Sequence, residues 1–386
     1  MKKVLILGGG FAGVQAAIEL QKNKQFEVVL ISDRDYLYLY PISIWVPVRG
    51  ISENKVKLPL DKIARKHGFE IVIDRVTGIK ATENLVICNS QTFVYDYLIV
   101  AFGADKVQIK GMEHTATICG KPEQTLSLRD ELDALLAKGS GKIAVGFGGN
   151  PKDKSGVRGG PAFELIFNID HYLIKKGIRK NYELTMFAPM EQPGIRMGKK
   201  ASDINHKMMY DKEISQRYGK KITEFTANGV IFEDGSNVDA DITIFISAGT
   251  GSAILKNTDL ILSESGFVRI NEFTQTVDFP NVFAVGDVAA LEGADWVAKQ
   301  GHLAEVMGSI AAHNICEIEN KTNNLKSYKE HLKILCVMDN GNGAAFVYRD
   351  DKKEMLIPMP VVGHWMKKGW GLYAKWTKLK YMPKVV

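Results

Sequence analysis

Apolar residues in this chain come in short unbroken runs set between glycine turns and polar stretches. Residues 4–7 form one such run, as a central parallel strand buried on both faces requires. The segment GGGFAG follows at 8–13. Val14, Ala16, Ala17, Ile18 and Leu20 then recur as the packed side of a helix, and 26–31 is a second apolar run. Strand, glycine turn, helix and strand fill about 30 residues, the size of a βαβ unit. Further strands are predicted at 95–101, ending at Gly103, and at 142–146, where a second α/β region opens. Helices are predicted near 123–136, over 160–175 and over 303–315, and strands at 183–187, 221–225, 230–232, 242–246 and 283–285. Asp234-Gly235 reads as a hairpin turn. There is no internal repeat beyond the two α/β starts.

Composition changes this picture little. The chain is 45% hydrophobic and 24% charged, ordinary for a globular protein. No apolar run is long enough for a transmembrane helix, and the apolar stretch after Met1 is too short for an export signal. Four cysteines are too few for a disulfide scaffold and match no zinc spacing, so no metal site is expected. The charge is more informative. Lys367, Lys368, Lys375, Lys378, Lys380 and Lys384 all lie beyond residue 362, where there is no acid, and they account for the whole net charge of +6. The basic balance is thus a property of the C-terminus, not of a nucleic-acid-binding face.

The glycine turn carries the first candidate chemistry. Gly8 permits a tight turn, Gly10 lets the backbone approach a pyrophosphate, and Gly13 lets helix and strand pack closely. The helix start supplies free N–H donors and a positive dipole end. Asp33 follows the second strand about 20 residues after the last glycine, placed to accept from ribose hydroxyls, with Ser32 beside it. These features alone do not separate FAD from NAD.

Two later segments do. YDYLIVAFGA at 95–104 and NVFAVGDV at 281–288 resemble the second and third fingerprints of two-dinucleotide flavoproteins. That resemblance implies FAD and an α/β fold of two Rossmann-like domains with a C-terminal extension. It places flavin-binding segments at 1–110 and 251–318, a second Rossmann-like domain at 111–250, and a C-terminal region at 319–386. It implies flavin contacts from Phe11, Ala12, Pro41, Val76, Gly103, Ala104, Gly286 and Asp287.

DRDYLYLYP at 33–41 resembles the matching segment of membrane-associated flavin:quinone reductases, both type II NADH dehydrogenases and sulfide:quinone oxidoreductases. After the second α/β strand, Gly146-Phe147-Gly148-Gly149 runs into Asn150-Pro151 and a polar stretch before the helix. That spacing is wrong for a second phosphate-cradling turn. Gly160, Pro161 and Glu164, followed by IFNIDHYL, instead resemble sulfide:quinone oxidoreductases, as do HLAEVMGSIAAHNI and the aromatic-basic tail. The resemblance implies electron transfer from sulfide through cysteine thiols and FAD to quinone. It assigns Cys336 as one redox cysteine and Cys119 as the cysteine at the flavin's methyl edge, which tethers the flavin in some members. Lys299 falls near the flavin's pyrimidine end. The second redox cysteine is missing: Arg158, in GVRGGP, stands at its position. This leaves the donor open. A type II NADH dehydrogenase and a flavin-binding sensor without catalysis stay as alternatives, as does a surface-loop role for Arg158. Cys88 and Cys316 read as packing residues. His302 and His171 are candidates for proton relay or simply satisfied polar residues.

The tail reads as a membrane-surface element. On a helical projection Trp365, Leu372, Trp376 and Leu379 share one side, flanked by Met366, Trp370 and Tyr373. Lys367, Lys368, Lys375 and Lys378 cluster opposite, and Gly369 and Gly371 suggest two short helical pieces. Aromatic residues favour the headgroup region and lysine favours anionic lipid. The expectation is a peripheral membrane protein on the cytoplasmic side, compatible with a homo-oligomer. The alternative is a terminal helix packed on the core or on a dimer partner.

Overall fold

The computed structural model describes residues 1–322 and 324–383. Lys384, the last of the tail lysines, lies outside the described residues. The principal elements are β1 (Lys2–Leu7), α1 (Phe11–Leu20), β2 (Phe26–Ser32), β3 (Glu70–Ile73), β4 (Tyr97–Val100), α2 (Pro122–Ala137), β5 (Gly141–Phe147), α3 (Gly160–Lys175), β6 (Tyr182–Ala188), α4 (Lys199–Asp211), β7 (Ile214–Tyr218), β8 (Ile242–Ile246), β9 (Val282–Ala284), α5 (Gly301–Asn320), β10 (Ile334–Asp339), β11 (Gly343–Arg349), β12 (Glu354–Pro360) and α6 (Val362–Lys378).

Two parallel sheets form the body. The first has the order β9-β4-β1-β2-β3, so strand β9, late in the chain, closes a sheet begun at the N-terminus. Its middle strand β1 is in register with both neighbours, Leu7 lying opposite Ile31 and Val100. Val4 to Leu7 are fully buried, as a strand covered on both faces must be. Helices α1 and α5 pack together beside this sheet. The second sheet has the order β7-β6-β5-β8, again all parallel. The hairpin turn at Asp234-Gly235 joins two short antiparallel strands beside it.

The C-terminal region is an antiparallel meander, β10-β11-β12, followed by α6. None of its three strands was anticipated from the pattern. Their burial does not alternate cleanly, because one side of β12 is largely exposed. Helix α6 corrects two expectations for the tail. It is one continuous helix through Gly369 and Gly371. Its buried side carries Gly363, Lys367, Gly371, Ala374 and Lys378, and Leu379 is buried just beyond it, so two of the supposedly solvated lysines and one supposedly exposed leucine face the core. Gly371 lets α6 pack closely on Ile42, whose side chain would lie 3.1 Å from a Cβ there. Trp365, Met366, Trp370, Leu372 and Trp376 are exposed.

Candidate active site

The carboxyl ends of the first sheet open into one cleft of about 1600 Å³ that extends to the second sheet and the C-terminal meander. The glycine turn forms one wall. Gly8, Gly9, Gly10, Phe11 and Ala12 line it. Gly13 lies behind the turn, where a Cβ would strike the Gly8 carbonyl, so its role is helix–strand packing as its spacing suggested. The α1 N-cap Gly10 has no side-chain cap, and no acid sits in the first turn. The first N–H groups of α1 therefore keep their capacity for an anion.

Asp33 is exposed on the cleft wall at the end of β2. Ser32 is buried, and its Oγ donates to the Arg34 carbonyl at 2.7 Å. Its hydroxyl is thus engaged in the turn, whereas the Asp33 carboxylate stays open to the cleft. Pro41, Val76, Gly103 and Ala104 also line the cleft, as do Gly286 and Asp287. The cleft's size, its uncapped helix start and the Asp33 and Asp287 carboxylates fit a dinucleotide such as FAD.

Lys299 is 6% exposed, and its Nζ donates to the Ala289 carbonyl while lying 4.0 Å from the centre of the Phe267 ring. Burial brings its ammonium down to about 8, against the pull of Asp287. His302 lines the cleft, whereas His171 does not; it packs beside Gly341, which removes it from any relay at the site.

The two candidate cysteines line different parts of the cleft, and all four cysteines are free thiols. Cys119 is pushed up by burial, opposed by the nearby Arg158 and Lys106 cations. Cys336 is pushed up to about 12 by burial and by the Glu164 carboxylate, with Lys367 opposing. Cys88 is buried, and Cys316 accepts a long contact from Asn23 at 3.8 Å. Arg158 is no stray surface residue: it pairs with Asp287, the acid of the third fingerprint, and lines the cleft.

The far end of the cleft holds a cluster that sequence reading did not assemble. Glu164 of α3 pairs with Lys367 of α6, both about 5–6% exposed. The Asp339 N–H also donates to Glu164 Oε1 at 2.7 Å. Burial lifts the Glu164 carboxyl above the usual carboxylate range despite these partners. Asp339 in turn meets His364 Nδ1 at 2.6 Å and accepts from Trp45 Nε1 at 3.3 Å. These residues come from four distant stretches of chain, so no local motif announces them. The only signal was Glu164 within the Gly-Pro-x-x-Glu run. Phe346 and Trp370 line the cleft beside this pair.

Residues 2–312 match the family model described as pyridine nucleotide-disulphide oxidoreductase. The chain belongs to that family. It is an oxidoreductase that uses FAD. It is 25% identical to the sulfide-quinone reductase of Aquifex aeolicus, over 97% of this chain and 90% of that protein. It is 23% identical to the type II NADH:quinone oxidoreductase of Staphylococcus aureus, over 90% of each. The crystal structure of the Aquifex aeolicus sulfide:quinone oxidoreductase superposes with a TM-score of 0.88 at 23% identity, over 98% of this chain and 92% of that one. The fold and the sulfide-quinone-reductase-like character expected from the sequence are borne out.

Proposed function

We propose that this protein passes electrons from a small reductant, entering beside Arg158 and Cys119, through FAD to a membrane quinone bound near Glu164, Lys367 and Trp370. The observation that carries this reading is the Glu164–Lys367 pair. It sits in a largely apolar part of the cleft and is contributed in part by the helix that exposes tryptophans on its other side. Reducing a quinone to a quinol takes two electrons and two protons. A buried carboxyl with a raised proton affinity beside an ammonium can hold and deliver a proton there. When bound, the flavin supplies the two-electron chemistry; Asp33, the glycine turn and Asp287 would hold it.

Helix α6 supports membrane contact. Trp365, Met366, Trp370, Leu372 and Trp376 are exposed on it, and Val361 and Val362 extend the patch. No helix among the described residues is long and apolar enough to cross a membrane, so this face would lie on the surface.

A nicotinamide donor is disfavoured by the second α/β region. In the first region three residues, Gly8 to Gly10, separate strand from helix; in the second, twelve residues, Gly148 to Gly159, separate β5 from α3. The Phe147 ring lies under the start of α3, 2.8 Å from where a Gly159 Cβ would be, and packs on Phe163 at 5.7 Å. A ring fills space beneath the helix start that a pyrophosphate-binding turn needs open. With Arg158 in place of a thiol, no disulfide can close at that position either.

The test is anaerobic. The purified yellow protein is mixed with NADH or with sulfide, and flavin bleaching is followed. Dithionite-reduced protein is then mixed with decylubiquinone. We expect rapid reoxidation by the quinone and no rapid bleaching by NADH. Fast bleaching by NADH would overturn the donor assignment; absence of quinone reoxidation would favour a flavin-binding sensor.

A further inference from the structure

The Glu164–Lys367 pair belongs to a larger ionisable cluster that includes Asp339 and His364. The Asp339 side chain is wholly buried. One of its oxygens accepts from Trp45 Nε1 at 3.3 Å and from the Gly341 N–H at 3.0 Å, and the other meets His364 Nδ1 at 2.6 Å. Its own N–H donates to Glu164 Oε1, which brings the two acids within electrostatic reach. Burial does most to raise the proton affinity of Glu164, and the Asp339 charge adds to it. His364 stands one turn before Lys367 on α6, with its ring 5.2 Å from that of Trp45. Its side chain is 21% exposed, against 5–6% for Glu164 and Lys367. It is the member of the cluster in best contact with water.

The other groups about the cluster are few. His171 of α3 feels the Asp339 charge from the Gly341 side, although burial lowers its proton affinity. Lys368 lies over the Trp45 and Trp365 rings. The Cys336 and Cys119 thiols feel the Glu164 charge, and burial raises both.

Charge balance gives His364 a role. With Lys367 charged, Asp339 ionised, Glu164 protonated and His364 neutral, the four groups sum to zero. When Glu164 gives its proton to a quinone oxygen, two buried carboxylates face one ammonium. Uncompensated buried charge is costly, so the donation is opposed. A proton taken up by His364 from solvent returns the sum to zero.

We propose that His364 is a positioning residue for quinone reduction: acting through Asp339, it takes up a proton from solvent as Glu164 gives one to the quinone, and releases it when Glu164 is reprotonated. The inference rests on the quinone reading above and adds the residue that balances charge within it. His364 borrows a proton and returns it, so the proton count of the quinol is unchanged.

His364→Asn separates this role from a structural one. Its amide can still donate to Asp339 in place of Nδ1, but it takes up no proton. Flavin-loaded wild type and variant are reduced with dithionite and mixed with decylubiquinone in a stopped-flow instrument from pH 6 to 9. Reoxidation of the variant at pH 7 should slow about fivefold or more. Glu164 then holds its proton harder, so the alkaline fall in rate should move to higher pH by about half a unit or more. Adding Asp339→Asn removes the charge that needed balancing, and the double variant should recover roughly half of the lost rate. If the Asp339 variant does not retain flavin, the pH profile of His364→Asn decides alone; if His364→Asn does not, His364→Gln replaces it. An unchanged rate, or a slowing equal at every pH, would overturn the inference. Absence of reoxidation in the wild type would strike the quinone reading, and this inference with it.

Discussion

Lys367, on the tail helix, reaches into the cleft and pairs with Glu164 of α3 behind the second sheet. The same helix therefore presents tryptophans outward and an ammonium inward. Lys367→Met should leave Glu164 buried without its cation. Breaking a buried pair commonly costs about 3–5 kcal/mol, and here the loss should fall toward or below that range, because a carboxyl already raised in proton affinity takes up a proton instead. In stopped-flow experiments, reoxidation of the reduced flavin by decylubiquinone should slow at least tenfold, while reduction by dithionite stays as in the wild type. Equal reoxidation rates would remove the pair from the quinone reaction.

Cys336 should be an unreactive thiol at neutral pH, since its proton is held up to about 12. Iodoacetamide labelling, read by mass spectrometry of the Cys336 peptide, should be slow at pH 8 and rise steadily with pH. Glu164→Gln removes the carboxylate that raises this thiol and keeps the Lys367 ammonium that lowers it. Labelling at pH 8 should then become severalfold faster.

In some members of the resembling family the cysteine matched by Cys119 tethers the flavin. A covalent bond would survive denaturation. Intact-mass measurement under denaturing conditions should show a flavin adduct that Cys119→Ser abolishes; an unmodified wild-type mass would exclude the tether.

Lys299 makes stability depend on pH in a definite direction. Its folded value, about 8, lies below the 10.5 of an ordinary lysine. At neutral pH and below, folding must bury a charged ammonium, which opposes the fold. Between about 8 and 10.5 the unfolded chain holds more protons than the folded one, so this group's contribution to stability rises with pH across that window. Denaturant midpoints of wild type and Lys299→Met, measured from pH 7 to 10.5, should differ in slope, with the rise missing from the variant.

For membrane contact, the structure changes which experiment is informative. Deleting everything after Val362 would also strip Lys367, Ala374 and Lys378 from the core. Lys378 is 3% exposed on its side chain and pairs with Glu305 at 2.8 Å, with Gln15 at 2.5 Å. A deletion would therefore confuse unfolding with release. The double variant Trp365→Ser, Trp376→Ser alters only exposed positions. It should release the protein from anionic liposomes in a flotation assay while stability stays within about 0.5 kcal/mol per site. Unchanged flotation would rule this face out.

Local signals made the first half of the site readable. Gly8 to Gly13 and Asp33 lie within one βαβ unit, and backbone sterics with helix-start donors dictate those residue types at those spacings. The segments around Gly103 and Asp287 could be joined to it only through resemblance, because β4 and β9 meet across about 180 residues of intervening chain. The resemblance also placed Arg158 where a thiol was expected, but could not say whether it faced solvent or the cleft.

The sequence by itself determined the opening βαβ unit with its glycine turn, the lengthened second loop and the concentration of lysine and tryptophan at the C-terminus. Each follows from residues close together in the chain, whose periodicity and steric needs act locally. Only the tertiary structure decided which way those lysines point. A helical projection sorts side chains by angle and assumes that charge goes to water. In the folded chain Glu164 and Glu305 wait beneath α6, so Lys367 and Lys378 turn inward to meet them and the tryptophans remain outside. The partner of a buried charge is set by packing between distant segments, and no local pattern encodes it.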